Sequence, residues 1–310
     1  MSEEFDTPVF LRMTTRICHA KEDILIDKRK EVLAKSFNMD VAKYVMVPGN
    51  AYRRHIVLEQ RLEELKKFSN ASSLNVVEMK DTKIGVITNG SAYLYVKEMM
   101  PQMSILKLGM SFPFPDDVVK TFASKVEKVL VIEELDSFIE DKVKALGIPC
   151  TGKDRSFCIG ELRPEHIPLI IEGKTREPEV FAGRKPSLCP GCGHRMVFNV
   201  LKELQVTVSG DIGCYTLGVL PPFSSIHTCV CMGAGITMFE GLRRAQNNNV
   251  VGVIGDSTFV HSGITGLINA AYNKMTGVII VLDNSITAMT GGQPHPGVGL
   301  TLKGDRKSVV

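Results

Sequence analysis

The residues best suited to chemistry in this sequence are Asp256 and Asn284, each of which follows an apolar segment of strand length. These segments are residues 250–254 and 277–282, and a helical pattern lies between them. In open parallel sheets, ligands bind beyond the carboxyl ends of the strands, where one crossover helix brings two strand ends together. A carboxylate oxygen and an amide oxygen suit Mg²⁺, whose coordination is usually completed by phosphate oxygens and water. The spacing therefore predicts a site for a metal-bound diphosphate.

Three neighbouring features favour the same ligand. The backbone carbonyl of Ile286 could supply a third oxygen, and Gly255 lets the backbone approach a ligand closely. The helix that begins near residue 263 directs its N-terminal N–H groups toward the same region. The alternative is that each polar cluster is only a turn with a helix cap. Two clusters at this spacing, each after a buried strand, favour the diphosphate site.

Five of the eight cysteines lie within about forty residues of one another, between Cys189 and Cys231. Cys189 and Cys192 form a C-x-x-C pair, which is typical of a Zn²⁺ site, an iron–sulfur site, a thiol–disulfide centre or a plain turn. Spacing alone does not choose among these. Cys214 follows the next predicted strand and could add a third thiolate. For Cys229 and Cys231 we favour packing near the diphosphate over metal binding.

The elements that position these residues are strands alternating with helices. Strands are predicted at residues 84–88, 104–108 and 129–134, and a second alternation begins near residue 189. Strands separated by helices at this spacing indicate βαβ units and parallel sheets. The predicted fold class is α/β with two parallel-sheet domains.

Three other segments carry a structural prediction. Residues 8–13 are predicted to form a buried strand. Residues 50–70 place Val57, Leu58, Leu62, Leu65 and Phe68 on one stripe of an amphipathic helix. Residues 160–187 are rich in Pro and charge, as in a linker or a segment that covers a domain.

Composition argues against several functional classes. The chain has 310 residues, of which 44% are hydrophobic and 23% charged, and its formal net charge is +3. A charge this small does not indicate a nucleic-acid or membrane surface. No apolar run reaches the roughly 18 residues of a membrane-spanning helix. The acidic N-terminus has no apolar signal core, so we expect a cytoplasmic location with reduced thiols.

The motifs together resemble the large, thiamine diphosphate-binding subunits of indolepyruvate:ferredoxin oxidoreductases. The resemblance rests on Cys-Pro-Gly-Cys-Gly-His at 189–194, Gly-Asp-Ile-Gly-Cys at 210–214, Gly-Asp-Ser at 255–257, and Asp-Asn-Ser-Ile-Thr-Ala-Met-Thr-Gly-Gly-Gln-Pro-His-Pro-Gly at 283–297. It covers essentially the whole chain. One departure is Ser257, where the general thiamine motif has Gly; its hydroxyl could donate to a diphosphate oxygen. Another is Ile286, where Thr is expected, but a carbonyl ligand does not depend on the side chain.

The resemblance implies the following site. Asp256, Asn284 and the Ile286 carbonyl would hold Mg²⁺. Cys189, Cys192 and Cys214 would be three of the four ligands of a [4Fe–4S] cluster, so the ligand set in this chain is incomplete. His261 is a candidate catalytic residue that could orient the substrate carboxylate or move a proton. The expected cofactor-binding residues are Ile212, Gly213, Cys214, Gly255, Asp256, Ser257, Asn284, Thr287, Ala288 and Met289.

The implied activity is thiamine-dependent oxidative decarboxylation of aryl pyruvates to aryl-acetyl-CoA, with electrons passed to ferredoxin. Coenzyme A, ferredoxin, the 2-oxoacid and a smaller β subunit are the implied partners. The alternatives are a non-oxidative thiamine-dependent 2-oxoacid decarboxylase and a non-enzymatic metal-binding module. The activating Glu of the family lies in a pyrimidine-side domain that is almost wholly absent here, as is the C-terminal ferredoxin domain. We therefore expect a fragment that is inactive alone.

The resemblance also divides the chain into five segments. They are the tail of the pyrimidine-side domain at 1–30, a linker with the amphipathic helix at 31–74, a transketolase-C-terminal-like domain at 75–158, a second linker at 159–187, and a truncated thiamine diphosphate-binding domain at 188–310.

Overall fold

Two mainly parallel β-sheets, each in its own unit of the chain, form the framework of the computed structural model. The structure describes residues 1–29, 31, 36–177, 186–246 and 249–298. The units are Met1–Val180 and Phe181–Val310. The α/β fold class with parallel sheets is thereby confirmed. No helix in these described ranges has the length and apolar character needed to cross a membrane.

The first unit contains a five-stranded sheet with the strand order β1-β3-β2-β4-β5. Strand β1 pairs with β3 antiparallel, and the other neighbouring strands pair in parallel. The antiparallel edge strand was not predicted from the sequence. The strands are β1 (Val76–Glu78), β2 (Asp81–Asn89), β3 (Met103–Leu108), β4 (Lys128–Ile132) and β5 (Cys150–Thr151).

Helices cover both faces of this sheet because consecutive residues of each strand point to opposite sides and are apolar on both. Val86 lies in the core on one side, with Phe157 and Ile167, while Ile87 lies in the core on the other, with Phe122 and Ile139. The helices of this unit are α1 (Ser2–Phe5), α2 (Thr15–His19), α3 (Val41–Tyr44), α4 (Pro48–Ala71), α5 (Gly90–Met99), α6 (Asp116–Ala123), α7 (Phe138–Ala145), a 3₁₀-helix (Arg155–Cys158) and α8 (His166–Ile171).

Three predictions for this unit can be compared with the structure. The helix expected at 50–70 is present as α4, although only Leu65 of its predicted stripe is buried. The buried strand expected at 8–13 is wrong: Phe10 is 90% exposed, and no strand in the described ranges pairs with this segment. An apolar sequence forms a strand only when a neighbouring strand takes up its hydrogen bonds. The second expected linker, 159–187, includes α8, whose Ile167 and Ile170 are buried against the sheet.

The second unit contains a three-stranded parallel sheet with the order β6-β7-β8. Helix α10 connects β6 to β7, and a run of three helical segments connects β7 to β8, so each connection is a βαβ crossover. The elements are α9 (His194–Glu203), β6 (Thr207–Ser209), a 3₁₀-helix (Cys214–Val219), α10 (Ala234–Gln246), β7 (Val250–Gly255), α11 (Asp256–Thr258), a π-helical turn (Phe259–Gly263), α12 (Ile264–Tyr272) and β8 (Val278–Leu282).

Strand β7 is the centre of this sheet and is apolar on both sides. Val253 packs with Phe198 and Val208 in one core, while Ile254 packs with Ile236 in another. Because β7 is held on both faces and along both edges, its carboxyl end is the most firmly fixed point from which polar residues can project.

Candidate functional site

A cavity of about 240 Å³ lies at the carboxyl ends of β6, β7 and β8 in the second unit. Its lining includes all ten residues that the family resemblance marks as cofactor-binding, together with Ile286. They come from three loops that are far apart in the sequence. The cavity residues that the resemblance marks are Ile212, Gly213, Cys214, Gly255, Asp256, Ser257, Asn284, Thr287, Ala288 and Met289.

Asp256 is the central polar group of the cavity. As the first residue of α11, it starts where β7 ends. Its Oδ1 accepts the backbone N–H of Ser257 at 2.8 Å, and its Oδ2 accepts the backbone N–H of Ser285 at 2.7 Å. The second hydrogen bond joins the end of β7 to the loop after β8. The carboxylate is therefore fixed between the two strand ends, as the predicted metal site requires.

Asn284 and Ile286 lie opposite Asp256 on the loop after β8. The Asn284 Oδ1 accepts the backbone N–H of Ile286 at 3.2 Å, which forms a short turn. Ser285, between them, has a φ of 59°, so the turn holds a non-glycine residue in the left-handed region. An amide oxygen has two acceptor positions, and this turn uses one of them. No hydrogen bond among the described residues uses the other position, so it could bind a cation.

The hydroxyls of Ser257 and Thr287 are 2.8 Å apart. Each hydroxyl has one hydrogen, and either can be the donor of this hydrogen bond. Whichever donates, the other residue keeps its hydrogen for a ligand in the cavity. The Ser at the position where the thiamine motif has Gly thus makes a second connection between the two strand ends.

The ring of Tyr215 leaves no room for a side chain at two of the predicted positions, Gly213 and Gly255. The sequence predictions did not include this role of Tyr215. Its phenol donates to the carbonyl of Ile212 at 2.8 Å, and its ring is buried. A Cβ at Gly213 would lie 2.4 Å from the Tyr215 Cε1 atom, and one at Gly255 would lie 2.5 Å from it. Both positions therefore require glycine because the ring fills the space. Burial raises the pKa of the Tyr215 phenol, so it remains a donor across the physiological range.

Asp211 is a further residue that the sequence predictions did not single out. Its carboxylate is buried and accepts the backbone N–H groups of Gly233 at 3.0 Å and of Gly235 at 2.7 Å. These donors lie at the start of α10, where N–H groups have no partner within the helix. Met232, next to Gly233, lines the cavity. Asp211 thereby holds this loop at the rim of the cavity.

A histidine other than the predicted one lines the cavity. His261 belongs to the π-helical turn, is exposed, and is not among the described residues that line the cavity. The turn instead buries Phe259 and Gly263. His194 lines the cavity instead. Burial lowers the pKa of His194, although the negative charge of Asp256 acts in the opposite direction.

The expected cluster cysteines lie near one another but do not form a ligand set. Burial raises the pKa of the Cys214 thiol, and the neighbouring thiols of Cys189 and Cys192 raise that pKa further. Cys189 is exposed and the other two are half-buried. Across the described ranges, no three His, Cys, Asp or Glu side chains are placed to hold a metal together. The described residues therefore show no assembled metal site at these cysteines.

Cys229 and Cys231, for which we expect packing near the diphosphate, are both exposed as whole residues. The Cys229 thiol donates to the carbonyl of Asp211 at 3.4 Å, so it adds to the contacts that hold the loop before α10. Burial of its sulfur raises the pKa of Cys229. Neither residue is among the described residues that line the cavity.

The segment that contains this cavity matches a known family model, and the whole chain matches curated relatives. Residues 211–308 match the family model described as thiamine pyrophosphate enzyme, C-terminal TPP binding domain. The whole chain is 36% identical to the indolepyruvate oxidoreductase subunit IorA of Thermococcus kodakarensis, covering 56% of that protein. With the subunit of the same name from Methanothermobacter thermautotrophicus, 98% of the chain matches 54% of the relative at 37% identity. The chain therefore spans about half the length of these curated relatives.

A solved structure of 2-oxoglutarate:ferredoxin oxidoreductase from Magnetococcus marinus, with 2-oxoglutarate, coenzyme A and succinyl-CoA bound, also matches. It is 20% identical and covers 41% of this chain and 23% of its own, with a TM-score of 0.34.

Proposed function

We propose that the chain is part of an indolepyruvate oxidoreductase IorA subunit, like the curated relatives that it matches, and that its second unit is the diphosphate-binding half of a thiamine diphosphate site in a 2-oxoacid:ferredoxin oxidoreductase. The proposal rests on one observation: a single cavity is lined by all ten residues that the family resemblance marks as cofactor-binding, and Asp256 is one of them. The likeness to IorA supports indolepyruvate and related aryl pyruvates as the substrate class.

The residues present fit the diphosphate and its metal. Asp256 and Asn284 each keep an acceptor position after their internal hydrogen bonds are counted. They would hold Mg²⁺ with the carbonyl of Ile286, and the cation would neutralise the diphosphate charge. Gly213 and Gly255 keep the backbone free of side chains beside the ligand. When bound, thiamine diphosphate supplies the nucleophilic carbon and the electron sink that 2-oxoacid decarboxylation requires.

The rest of the lining suits the ring portion of such a cofactor. Ile212, Leu282 and Met289 present apolar side chains to the cavity, and Met232 lies on its rim. Apolar walls exclude water and strengthen the polar interactions within the site. His194 lines the same cavity, and burial lowers its pKa, which favours the neutral imidazole. It can therefore offer a hydrogen bond to the ligand without adding charge.

The proposal includes partners and a location that extend beyond this chain. The oxidative reaction would need a smaller β subunit, coenzyme A and ferredoxin, and a cytoplasmic setting suits thiols that stay reduced. We propose that residues 75–158 form a transketolase-C-terminal-like domain, and that residues 1–30, 31–74, 159–187 and 188–310 correspond to the segments expected from the family.

The iron–sulfur part of the proposal needs its own test, because Cys189, Cys192 and Cys214 do not form a ligand set here. The chain should be purified anaerobically together with its partner subunit, and its iron and acid-labile sulfide measured. Stoichiometric iron and sulfide would support the oxidative reaction. Thiamine-dependent decarboxylation without iron would instead support the non-oxidative alternative.

Calorimetric titration of the purified chain with thiamine diphosphate and Mg²⁺ tests the site directly. We expect saturable binding by the wild-type chain and no measurable binding by Asp256→Ala. Glu203→Ala, which removes an exposed carboxylate from α9 of the same unit, is the matched control and should bind as the wild type does. Failure of the wild-type chain to bind would overturn the proposed function, and zinc held without the cofactor would favour the metal-binding alternative.

A further inference from the structure

His295 is the side chain that contacts the Asp256 carboxylate from the loop after β8. The two residues are 39 positions apart, and the His295 Nε2 atom lies 3.0 Å from the Asp256 Oδ2 atom. Both side chains are largely buried, with 5% and 12% of their surfaces exposed. A hydrogen bond between groups this sheltered from water holds its geometry better than an exposed one.

The neighbouring backbone determines which nitrogen of His295 carries the proton. The N–H of Gly297 donates to the His295 Nδ1 atom at 3.1 Å. A backbone N–H can only donate, so Nδ1 must hold a lone pair and the ring proton must lie on Nε2. The Nε2–H group then donates to Asp256. The contact is therefore a hydrogen bond from a neutral imidazole to a carboxylate.

Counting donors shows which oxygen of Asp256 remains open. A carboxylate has about four acceptor positions, two on each oxygen. Oδ2 accepts from the Ser285 N–H and from His295, which fills both of its positions. Oδ1 accepts only the N–H of Ser257 among these bonds. Among the described residues, one acceptor position on Oδ1 is left unused. The three hydrogen bonds that Asp256 accepts restrict the rotation of this carboxylate.

We propose that His295 is a positioning residue that fixes the Asp256 carboxylate so that Oδ1 is its metal-binding oxygen. The proposal rests on the proposed function, since it assigns a role at the same site. A ligand held in one orientation loses less freedom when the cation binds. Residues that hydrogen-bond to a metal ligand in this way typically change metal affinity by about 10- to 100-fold when they are removed.

Gly297 provides a second way to disturb the same contact. A Cβ at this position would lie 2.9 Å from the His295 Cε1 atom and 3.0 Å from its Nδ1 atom. Gly297→Ala would therefore displace the ring while leaving the imidazole in the protein. If His295 positions Asp256, this variant should weaken metal binding as a histidine substitution does.

The test is the affinity for Mn²⁺, used in place of Mg²⁺ and followed by electron paramagnetic resonance of the free ion, in the presence of thiamine diphosphate. We expect His295→Ala to weaken Mn²⁺ binding by about 10- to 100-fold. His295→Gln can still donate an N–H to Asp256 and should stay within about threefold of the wild type. Thermal unfolding of each variant without ligand checks that the chain is folded.

Each other outcome contradicts the proposal in its own way. Equal affinity in the wild type, His295→Ala and Gly297→Ala would show that Asp256 needs no positioning. A Gln variant as weak as the Ala variant would assign His295 a packing role only. Failure of the wild-type chain to bind cofactor and metal would overturn the proposed function itself, which is a separate result.

A measurement on the wild-type protein keeps the proposal testable even if the variants do not fold. In protein labelled with ¹⁵N-histidine, the long-range ¹H–¹⁵N spectrum distinguishes a protonated Nε2 from a protonated Nδ1. We expect His295 to show the Nε2–H form without ligand. The opposite form would remove the donor on which the proposal depends and would overturn it.

Discussion

The Ser257 hydroxyl lies 2.8 Å from the Thr287 hydroxyl, and this hydrogen bond joins the helix start after β7 to the loop after β8. Together with the Asp256–Ser285 bond at 2.7 Å, it connects the two strand ends twice. The two halves of the thiamine motif are thus held in fixed relation by this chain's own side chains.

A double-mutant cycle on this pair should show coupling. Ser257→Ala and Thr287→Val each remove one hydroxyl, and a typical intramolecular hydrogen bond contributes about 0.5–1.5 kcal/mol to stability. We expect a coupling of that order in the free energy of unfolding. The control pair is Ser257 with Thr265, an exposed threonine whose hydroxyl instead donates to the Ser262 carbonyl; it should show no coupling. Additive effects at 257 and 287 would mean that the hydroxyl contact is weak in solution.

The same pair illustrates what the sequence could and could not predict. The βαβ alternation and the positions of Asp256 and Asn284 were predictable, because strand length, helix length and strand-end chemistry are local properties. That the Ser257 hydroxyl would meet Thr287 was not, because the contact depends on how the loop after β8 closes. His295 was missed as the partner of Asp256 for the same reason, since 39 residues separate the two.

His261 and residues 8–13 show two further features that the local sequence does not determine. After β7, the chain passes through a π-helical turn, an uncommon geometry that periodicity rules do not anticipate, and this turn leaves His261 exposed. Residues 8–13 have a strand-like composition, but strand formation depends on a partner strand elsewhere in the protein. In both cases the deciding interaction is absent from the local sequence.

Gly255→Ala should reduce both stability and thiamine diphosphate binding. Its methyl group would lie 2.5 Å from the buried Tyr215 ring, so the ring or the strand end must move. Overpacking of this kind typically costs about 1–3 kcal/mol. Denaturant unfolding measures the first effect and calorimetric titration the second.

Gly241→Ala is the matched control for that variant. Gly241 lies on an exposed face of α10, and a Cβ there meets nothing within 4 Å. Alanine in a helix interior is about 0.8–1.0 kcal/mol more favourable than glycine, so this variant should be stabilised and bind normally. A Gly255→Ala chain as stable as the wild type would contradict the role assigned to Tyr215.

The stability of the first unit should depend on pH through Glu133. Its carboxylate is buried at the start of α7, where it accepts the N–H groups of Ile139 at 2.9 Å and Glu140 at 3.0 Å. Burial raises the pKa of Glu133 above its usual value of 4.5, although these N–H groups act in the opposite direction. Between the usual value and the raised one, the folded chain binds more protons than the unfolded chain, so its stability falls as pH rises.

Unfolding measured across that pH window in the wild type and in Glu133→Gln tests this dependence. The contribution of Glu133 should be fully present below its unfolded pKa and should be lost as pH rises through the folded pKa. The Gln variant should lack this part of the slope of unfolding free energy against pH, whatever its absolute stability. Glu127→Gln, which removes an exposed carboxylate from the same unit, should keep the wild-type slope. An unchanged slope in Glu133→Gln would refute the raised pKa.

Asp211→Ala should be among the most damaging single substitutions in the second unit. It would leave the N–H groups of Gly233 and Gly235 without the buried acceptor that now lies 3.0 and 2.7 Å away. An unsatisfied buried donor costs about 1–3 kcal/mol, and two such donors add to one another. Asp211→Asn, which keeps one carbonyl oxygen in place of two carboxylate oxygens, should lose less stability.

The order wild type, Asn, Ala should hold for the free energy of unfolding. The same order should hold for thiamine diphosphate affinity, because Met232 beside Gly233 lines the cavity. Glu203→Ala controls for the loss of a carboxylate, and an Asp211→Ala chain that unfolds like this control would show that water replaces the acceptor.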